Sequence, residues 1–357
     1  LAIDRRSASQ VVTFAPDGTD ARWLGQLGHV AGLSYSFTCP GGADQLSCTL
    51  QIPPSARSPA LNPGRIVKVV RGGSVVWYGQ LNEPVPSVSG WAIQAHGAAT
   101  MASQFAAYYT SWSLNNPVDQ AILRGLPWIN PGIAGGWLSQ QPDNASQTVA
   151  DHLNMVCGKS GQVWQVDRWN RLQVGAIPSV VNRLLVATSP VARSIANDIT
   201  TVWLKYTASD DGSGNDTYNL TDSFNQGDIN RHGPTEVYAD LSNAGVMSAS
   251  AAQAVGAATL ARYQRASFAG PFTIRYGQYL TTGGTPVDLG CERAGTVARL
   301  LVTDAPFGGE QAVGLISFVV GSLVYSDDTG TAQVTPMNSA RGDFAALLAL
   351  IAPATSS

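Results

Sequence analysis

Apolar and polar residues alternate along most of the first hundred positions. Leu33, Tyr35 and Phe37 are separated by Ser34, Ser36 and Thr38, the period of two that lays one face of a strand on a core. After the turn CPGGADQ, Cys48, Leu50 and Ile52 alternate with Thr49 and Gln51, which predicts the partner strand of a hairpin. The segment GRIVKVVRGGSVVWYGQL (64–81) holds two β-branched runs joined by Arg71-Gly72-Gly73-Ser74, and WAIQAHG (91–97) supplies a further short strand. Short strands linked by glycine and proline turns predict a small barrel or sandwich over residues 1–100.

The pattern changes near Ala98. Asn116-Pro117 followed by Asp119 has the form of an N-cap with proline at the first helical position, and Gly125 ends that helix. Ser146 is placed to cap a second helix in which Val149, Leu153 and Val156 share one face, with Gly158 as its stop. VWQVDRWNRLQV (163–174) then reads as a hairpin around a polar turn, so 101–190 is expected to be an α/β insert. A connecting region follows over 191–265. In it Val202, Leu204 and Tyr206 mark a strand, ASDDGSGNDTYNLTDS (208–223) an exposed loop or hairpin tip, and Ser250 with Gln253 the capping box of a helix. A second β block over 266–340 contains PFTIRYG, GTVARLLVTDA and AVGLISFVVGSLVYS. FAALLALIA predicts a short apolar helix within the tail 341–357. The expected class is therefore mainly β (α+β), with two β-barrel-like domains flanking an α/β insert and no short-period repeat.

Composition changes this picture in one respect. Hydrophobic residues make up 44% of the chain and charged residues only 13%, about half the usual charged share of a soluble domain. A surface so short of charge is covered by small polar residues or by partner subunits. The net charge of −3 provides no field that favours nucleic acid or an anionic membrane. The apolar run from Ala312 to Tyr325 is interrupted by Gly314, Ser317, Gly321 and Ser322 and is too short to span a bilayer. The opening LAIDRRSASQ carries charge where a signal peptide needs an apolar core, so no export signal is expected. Of the four cysteines, Cys39, Cys48, Cys157 and Cys291, the first two flank a glycine-rich turn and could bridge across a hairpin, but buried free thiols are the favoured expectation for that pair.

The sequence contains no catalytic constellation. There is no GxSxG elbow, and Gly158-Lys159-Ser160 lacks the first P-loop glycine, since position 153 is Leu153. His29, His96, His152 and His232 never fall at i, i+4, which excludes HExxH-type zinc sites. Asp151 and His152 point about 100° apart on a helix, so His152 is expected at a solvated surface. Glu83, Glu236, Glu292 and Glu310 lie in no motif that would pair two carboxylates across a sugar ring. Asp211, Ser213, Asn215 and Asp216 form an oxygen-rich loop, but it lacks the EF-hand glycine and has Asp222 at its twelfth position, so a solvated tip is expected. Tyr108, Tyr109, Trp112 and Trp128 lie between Phe105 and Trp137; exposed they would stack sugars, buried they are core, and core is the favoured reading. The sequons at Asn144, Asn215 and Asn219 carry little weight without a secretory signal. No catalytic, cofactor-binding or metal-ligating residue is assigned, and no cofactor or enzymatic activity is expected.

GRIVKVVRGGSVVWYGQLNEPVPSVSGWAIQAHGAATMASQF (64–105) resembles the first tube-forming domain of the baseplate hub proteins of long-tailed bacteriophages. That family includes the amino-terminal part of siphophage tail-associated lysins. In it a strand ending in Gly-x-hydrophobic passes through a polar loop to a strand and then a helix, the order followed by Gly79-Gln80-Leu81 and Trp91 to His96. Thr148 to Gly175 resembles the family's inserted helix-then-hairpin domain. The helix ending Ala261-Arg262-Tyr263-Gln264-Arg265, followed by PFTIRYG and GTVARLLVTDAP, resembles the entry to its second tube domain. The likeness covers most of the chain as pattern, without an invariant motif.

What the resemblance implies is a siphophage minor tail protein: a homotrimer whose paired barrel-like domains form a pseudo-sixfold ring at the tail tip. Such a ring continues and closes the tail tube and passes DNA on infection without binding it specifically. Its implied partners are the distal tail protein, the tape-measure protein and other tail-tip or fibre proteins, with the host cell surface touched only indirectly. Its place would be the virion, assembled in the host cytoplasm. The sequence stops soon after the second β block, so the hydrolase of lysin-type hubs is not expected in it. The alternatives are a hexameric distal tail protein and a carbohydrate-binding tail protein.

Overall fold

A computed structural model describes residues 8–52, 61–106, 126, 148–159, 162–176, 178–187, 199–209, 217–240, 242, 246–263, 271–302 and 316–337. The first β block contains β1 (Gln10–Phe14), β2 (Arg22–Trp23), the single turn α1 (Leu24–Leu27), β3 (His29–Thr38), β4 (Gly42–Gln51), β5 (Ile66–Arg71), β6 (Ser74–Leu81), β7 (Val85–Ser87) and β8 (Gly90–Gly97). Its predicted strands are all present. In β4, Leu46, Cys48 and Leu50 are buried while Gln45, Ser47 and Gln51 are exposed, so the period of two is obeyed. Gly72 and Gly73 both take positive φ in the two-residue turn between β5 and β6, the backbone that a tight hairpin requires and glycine permits.

The rest of the chain adds α2 (Ala98–Gln104), α3 (Val149–Lys159), β9 (Gln162–Val166), β10 (Leu172–Ala176), β11 (Arg183–Ala187), β12 (Thr201–Ser209), β13 (Thr217–Phe224), α4 (Gln226–His232), β14 (Glu236–Asp240) and α5 (Ala249–Tyr263). The second β block supplies β15 (Phe272–Arg275), β16 (Tyr279–Thr281), a 3₁₀ turn (Leu289–Cys291), β17 (Val297–Val302), β18 (Ile316–Ser326) and β19 (Thr331–Pro336). The fold is mainly β, as expected. The predicted helices at 116–125 and 344–352 lie outside the described residues; of the loop or hairpin tip predicted over 208–223, residues 208–209 end β12 and 217–223 belong to β13, while 210–216 lie outside the described residues.

The two β blocks share one sheet. Its order is β16-β11-β17-β18-β3-β4-β8-β6-β5-β1-β2, and the joint is the antiparallel pair β18–β3, in which Ser322 faces Thr38 and Ser326 faces Ser34. Among the described residues no strand pairing closes this sheet on itself. Both blocks also share one core, in which Tyr35, Phe37, Leu50, Trp77 and Ile93 meet Phe318, Leu323, Tyr325 and Val334. Trp77 is wholly buried and donates its indole N–H to the Ser36 carbonyl at 3.2 Å, so its one polar atom is satisfied. Gly79 lies beneath that ring, where a Cβ would run into both the indole and the His96 carbonyl. This is the physical reason for a glycine at the end of that strand.

Two smaller cores flank the sheet. α2, α3 and the β9–β10 hairpin enclose Met101, Leu126, Val149, Leu153, Trp164 and Leu172. β12 is the middle strand of a separate three-stranded sheet with β13 and β14, and α5 packs against it through Val202, Leu204, Ala239 and Leu260. Both helix caps differ from expectation. Thr148 caps α3: its hydroxyl accepts from Asp151 N at 3.1 Å while the Asp151 carboxylate accepts from Thr148 N at 3.1 Å, a reciprocal box that displaces Ser146 from the role. Gly158 lies inside that helix instead of stopping it. Ser248, which accepts from Ala251 N at 3.2 Å, caps α5 in place of Ser250.

Candidate functional site

Segments far apart in sequence bring together a polar cluster around Arg71. Arg71, at the end of β5, places its Nε 2.8 Å from Asp288 Oδ2 and its Nη1 2.7 Å from Asp327 Oδ1. Ser9 accepts from Arg71 Nη1 at 3.0 Å and donates to Asp327 at 2.7 Å. The guanidinium lies 5.2 Å from the centre of the Tyr325 ring, and Tyr35 beside it donates to the Gly290 carbonyl at 2.8 Å. A Cβ on Gly290 would collide with both Arg71 and Tyr35, so the backbone comes this close only as glycine.

Burial works to lower the Arg71 pKa, but the Asp288 hydrogen bond and the neighbouring anionic and phenolic groups outweigh it and the guanidinium is held charged. Burial pushes Tyr325 up to about 12 and Tyr35 higher still. The cluster's chemistry is that of a clamp between the two β blocks.

A cleft of about 340 Å³ lies where the β9–β10 hairpin rests on the sheet, with Phe37, Gln165, Trp169 and Arg293 in its walls. The hairpin is tied down by Gly41 N to the Trp164 carbonyl, Val166 N to the Gly41 carbonyl, each 3.0 Å, and Gln165 Nε2 to the Ala294 carbonyl at 3.2 Å. Arg293 donates to the Val76 carbonyl at 2.9 Å and stacks over Phe37 at 5.3 Å. Burial pulls its pKa down to about 10, which leaves it cationic at neutral pH. The cleft is thus a seam between elements, built around a cation already spent on main-chain oxygen.

The structure disperses the residues that the sequence offered for chemistry. His29 and Glu83 are exposed on the first β block, and His96 bonds Asn82 at 3.0 Å and Gln104 at 3.2 Å. His152 is buried, contrary to the solvated surface expected, because α3 packs against α2 and its buried arc extends past Leu153. Glu292 is buried and paired to Arg183 Nε at 2.9 Å, while Glu236 is exposed on β14. Gly158 lies within α3, Lys159 is its last residue, and His232 closes α4. Phe105 packs half-buried against the insert's core. Tyr108, Tyr109, Trp112, Trp128, Trp137, Asn144, Ser160, Glu310 and the loop bearing Asp211, Ser213, Asn215 and Asp216 lie outside the described residues.

Cys39, Cys48, Cys157 and Cys291 are all free. Ser47 faces Ser34 across the β3–β4 pair while Cys39 follows Thr38 at the turn. The two thiols of that hairpin are therefore about six strand positions apart, roughly 20 Å, far beyond disulfide reach.

No protein-family model and no curated protein matches this sequence. Solved structures do match, nearly end to end. The 43 kDa tail protein of prophage MuSo2 from Shewanella oneidensis aligns with a TM-score of 0.57 at 17% identity, covering 91% of this chain and 97% of that one. A tail protein from Neisseria meningitidis MC58 gives 0.55 at 14% identity, covering 92% and 95%. The prophage tail protein gp18 from Listeria monocytogenes EGD-e gives 0.56 at 10% identity, covering 96% and 99%. At such identities the likeness is one of fold, and it extends over the whole of each partner.

Proposed function

We propose that this chain is a structural, non-enzymatic subunit of a bacteriophage-type tail, and within it the baseplate hub at the tail tip. In this reading three copies form a ring that continues and closes the tail tube and passes DNA on infection. The observation that carries it is the end-to-end likeness to three prophage tail proteins, each aligned over at least 95% of its own length. The shared sheet supports it as well: a tube wall must resist load, and here two β blocks are joined by strand pairing, a common core and the Arg71 clamp. A 13% charged content suits a subunit whose flanks are covered by neighbours. An acidic balance suits a conduit that must release its DNA instead of holding it. The partners proposed are the distal tail protein, the tape-measure protein and other tail-tip or fibre proteins, in a virion assembled in the host cytoplasm.

The test is the absolute mass of the purified chain by multi-angle light scattering. Three copies per particle is the expected result. Six copies would replace the hub by a distal tail ring, and a single chain that also bound or cleaved glycan would replace the tail reading itself.

A further inference from the structure

Among the described residues, the three-stranded sheet has one face covered by α5 and one left open. Strand register fixes what the open face carries, because paired residues point the same way. Trp203 in the middle strand is flanked by Asp222 and Tyr238, and Lys205 by Leu220 and Asp240. Thr201 is flanked by Phe224 and Glu236, and Thr207 by Tyr218, with Val246 bridged to it. Phe224, Leu220, Tyr218, Tyr238 and Val246 are each 49–60% exposed. Together they present on the order of 500 Å² of apolar side chain, the size at which a patch on a soluble chain marks an interaction site. Three carboxylates and one ammonium share the face, so it is acidic as well as aromatic.

The opposite chemistry stands elsewhere on the same chain. Trp169, at the tip of the β9–β10 turn, is 61% exposed, with the guanidinium of Arg168 4.1 Å and that of Arg171 4.9 Å from its ring centre. The turn is rigid: Asp167 accepts from Trp169 N at 2.8 Å and Arg171 N at 3.0 Å, and pairs with the Arg171 side chain at 2.9 Å. A pre-ordered indole flanked by arginines is the composition of an interface anchor, since little entropy remains to be lost on docking.

We propose that the Trp169 turn of one copy docks on the open β12–β14 face of the next. The occupant is a second copy of this chain, because the two surfaces complement each other in charge and both expose aromatics. A twofold contact of the face with itself would set three carboxylates against three, whereas turn-to-face contact is heterologous, the kind that closes into rings. The inference rests on the ring reading above and supplies its contact.

The experiment uses two full-length variants in a Cys291→Ser background, which leaves only buried thiols. Arg168→Cys and Leu220→Cys chains carrying different tags are co-expressed and treated with a short bis-maleimide. The expected product is a covalent pair bearing both tags, absent when either variant is expressed alone. In parallel, Trp169→Ala raises the ring's dissociation constant about thirtyfold with unchanged circular dichroism and melting. Cross-linking between two Leu220→Cys copies, no mixed pair, or a wild-type chain that stays single at its highest soluble concentration overturns the inference. A three-copy ring without the mixed pair removes this contact and leaves the hub reading standing. A mixed pair within a particle of another stoichiometry does the reverse.

Discussion

Replacing Arg71 with leucine removes the clamp between the two β blocks while keeping a side chain of useful bulk. The guanidinium is 11% exposed and its partners Asp327 and Asp288 are 19% and 35% exposed. Removing one member of a fully buried pair costs about 3–5 kcal/mol, because a desolvated charge is left behind. Here the carboxylates can partly rehydrate, which reduces that cost to about 2–3 kcal/mol, and the lost stacking on Tyr325 adds about 0.5–1 kcal/mol. A total near 3 kcal/mol, at a slope of about 2 kcal/mol per molar, lowers the urea midpoint by about 1.5 M. Tryptophan fluorescence reads the transition directly, since Trp77 sits in the same core. Adding Asp288→Asn and Asp327→Asn to the leucine variant recovers at least about half of the loss, because no buried charge is then stranded. If Arg71→Leu unfolds within 0.2 M of the wild type, the cluster is not a clamp and this reasoning fails.

Gly79→Ala, which drives a Cβ into the His96 carbonyl and the Trp77 indole, is expected to destabilise by about 1–3 kcal/mol, measured by the same urea titration. Thr148→Ala, which opens the α3 capping box, costs about 1 kcal/mol and is read as a lowered melting temperature. Native protein gives one accessible thiol to Ellman's reagent, Cys291, and four after denaturation. Burial and the nearby Asp288 push Cys291 up to about 11, so its rate rises about tenfold per pH unit through pH 9. Tyr325, raised by burial to about 12, favours folding below pH 10 and loses that contribution as pH climbs to 12. Tyr35 and Tyr279, also raised by burial, act in the same direction. Absorbance at 295 nm should therefore show Tyr35 and Tyr279, two of the eleven tyrosines, ionising only with unfolding.

Period-two alternation made β3, β4, β5, β6 and β8 legible, though not β7, and the Gly72-Gly73 pair located the β5–β6 turn. Pairing across the molecule was not legible. Arg71 meets Asp288 and Asp327 at separations of 217 and 256 residues, and no local pattern reports such a distance. Gly79 was visible as part of a motif, but its reason, the Trp77 ring and the His96 carbonyl, exists only once β6 lies beside β8. His152 was misplaced because its angle was weighed against Asp151 alone, without the neighbouring helix that buries it.

The open face was missed for a different reason. The polar residues of 208–223 outweighed the alternation of Tyr218, Leu220 and Asp222 within them, which is a strand signal for a face that looks outward. The hairpin turn around Trp169 was anticipated, yet its exposure follows only from the way Asp167 folds the turn.

We propose that this chain forms a threefold ring at the end of a tail tube. Negative-stain class averages of the purified, uncross-linked protein test it most directly. The account predicts a ring of three copies with pseudo-sixfold outline and a central opening. Averages showing six identical copies, or compact single particles at concentrations where light scattering is taken, would contradict it.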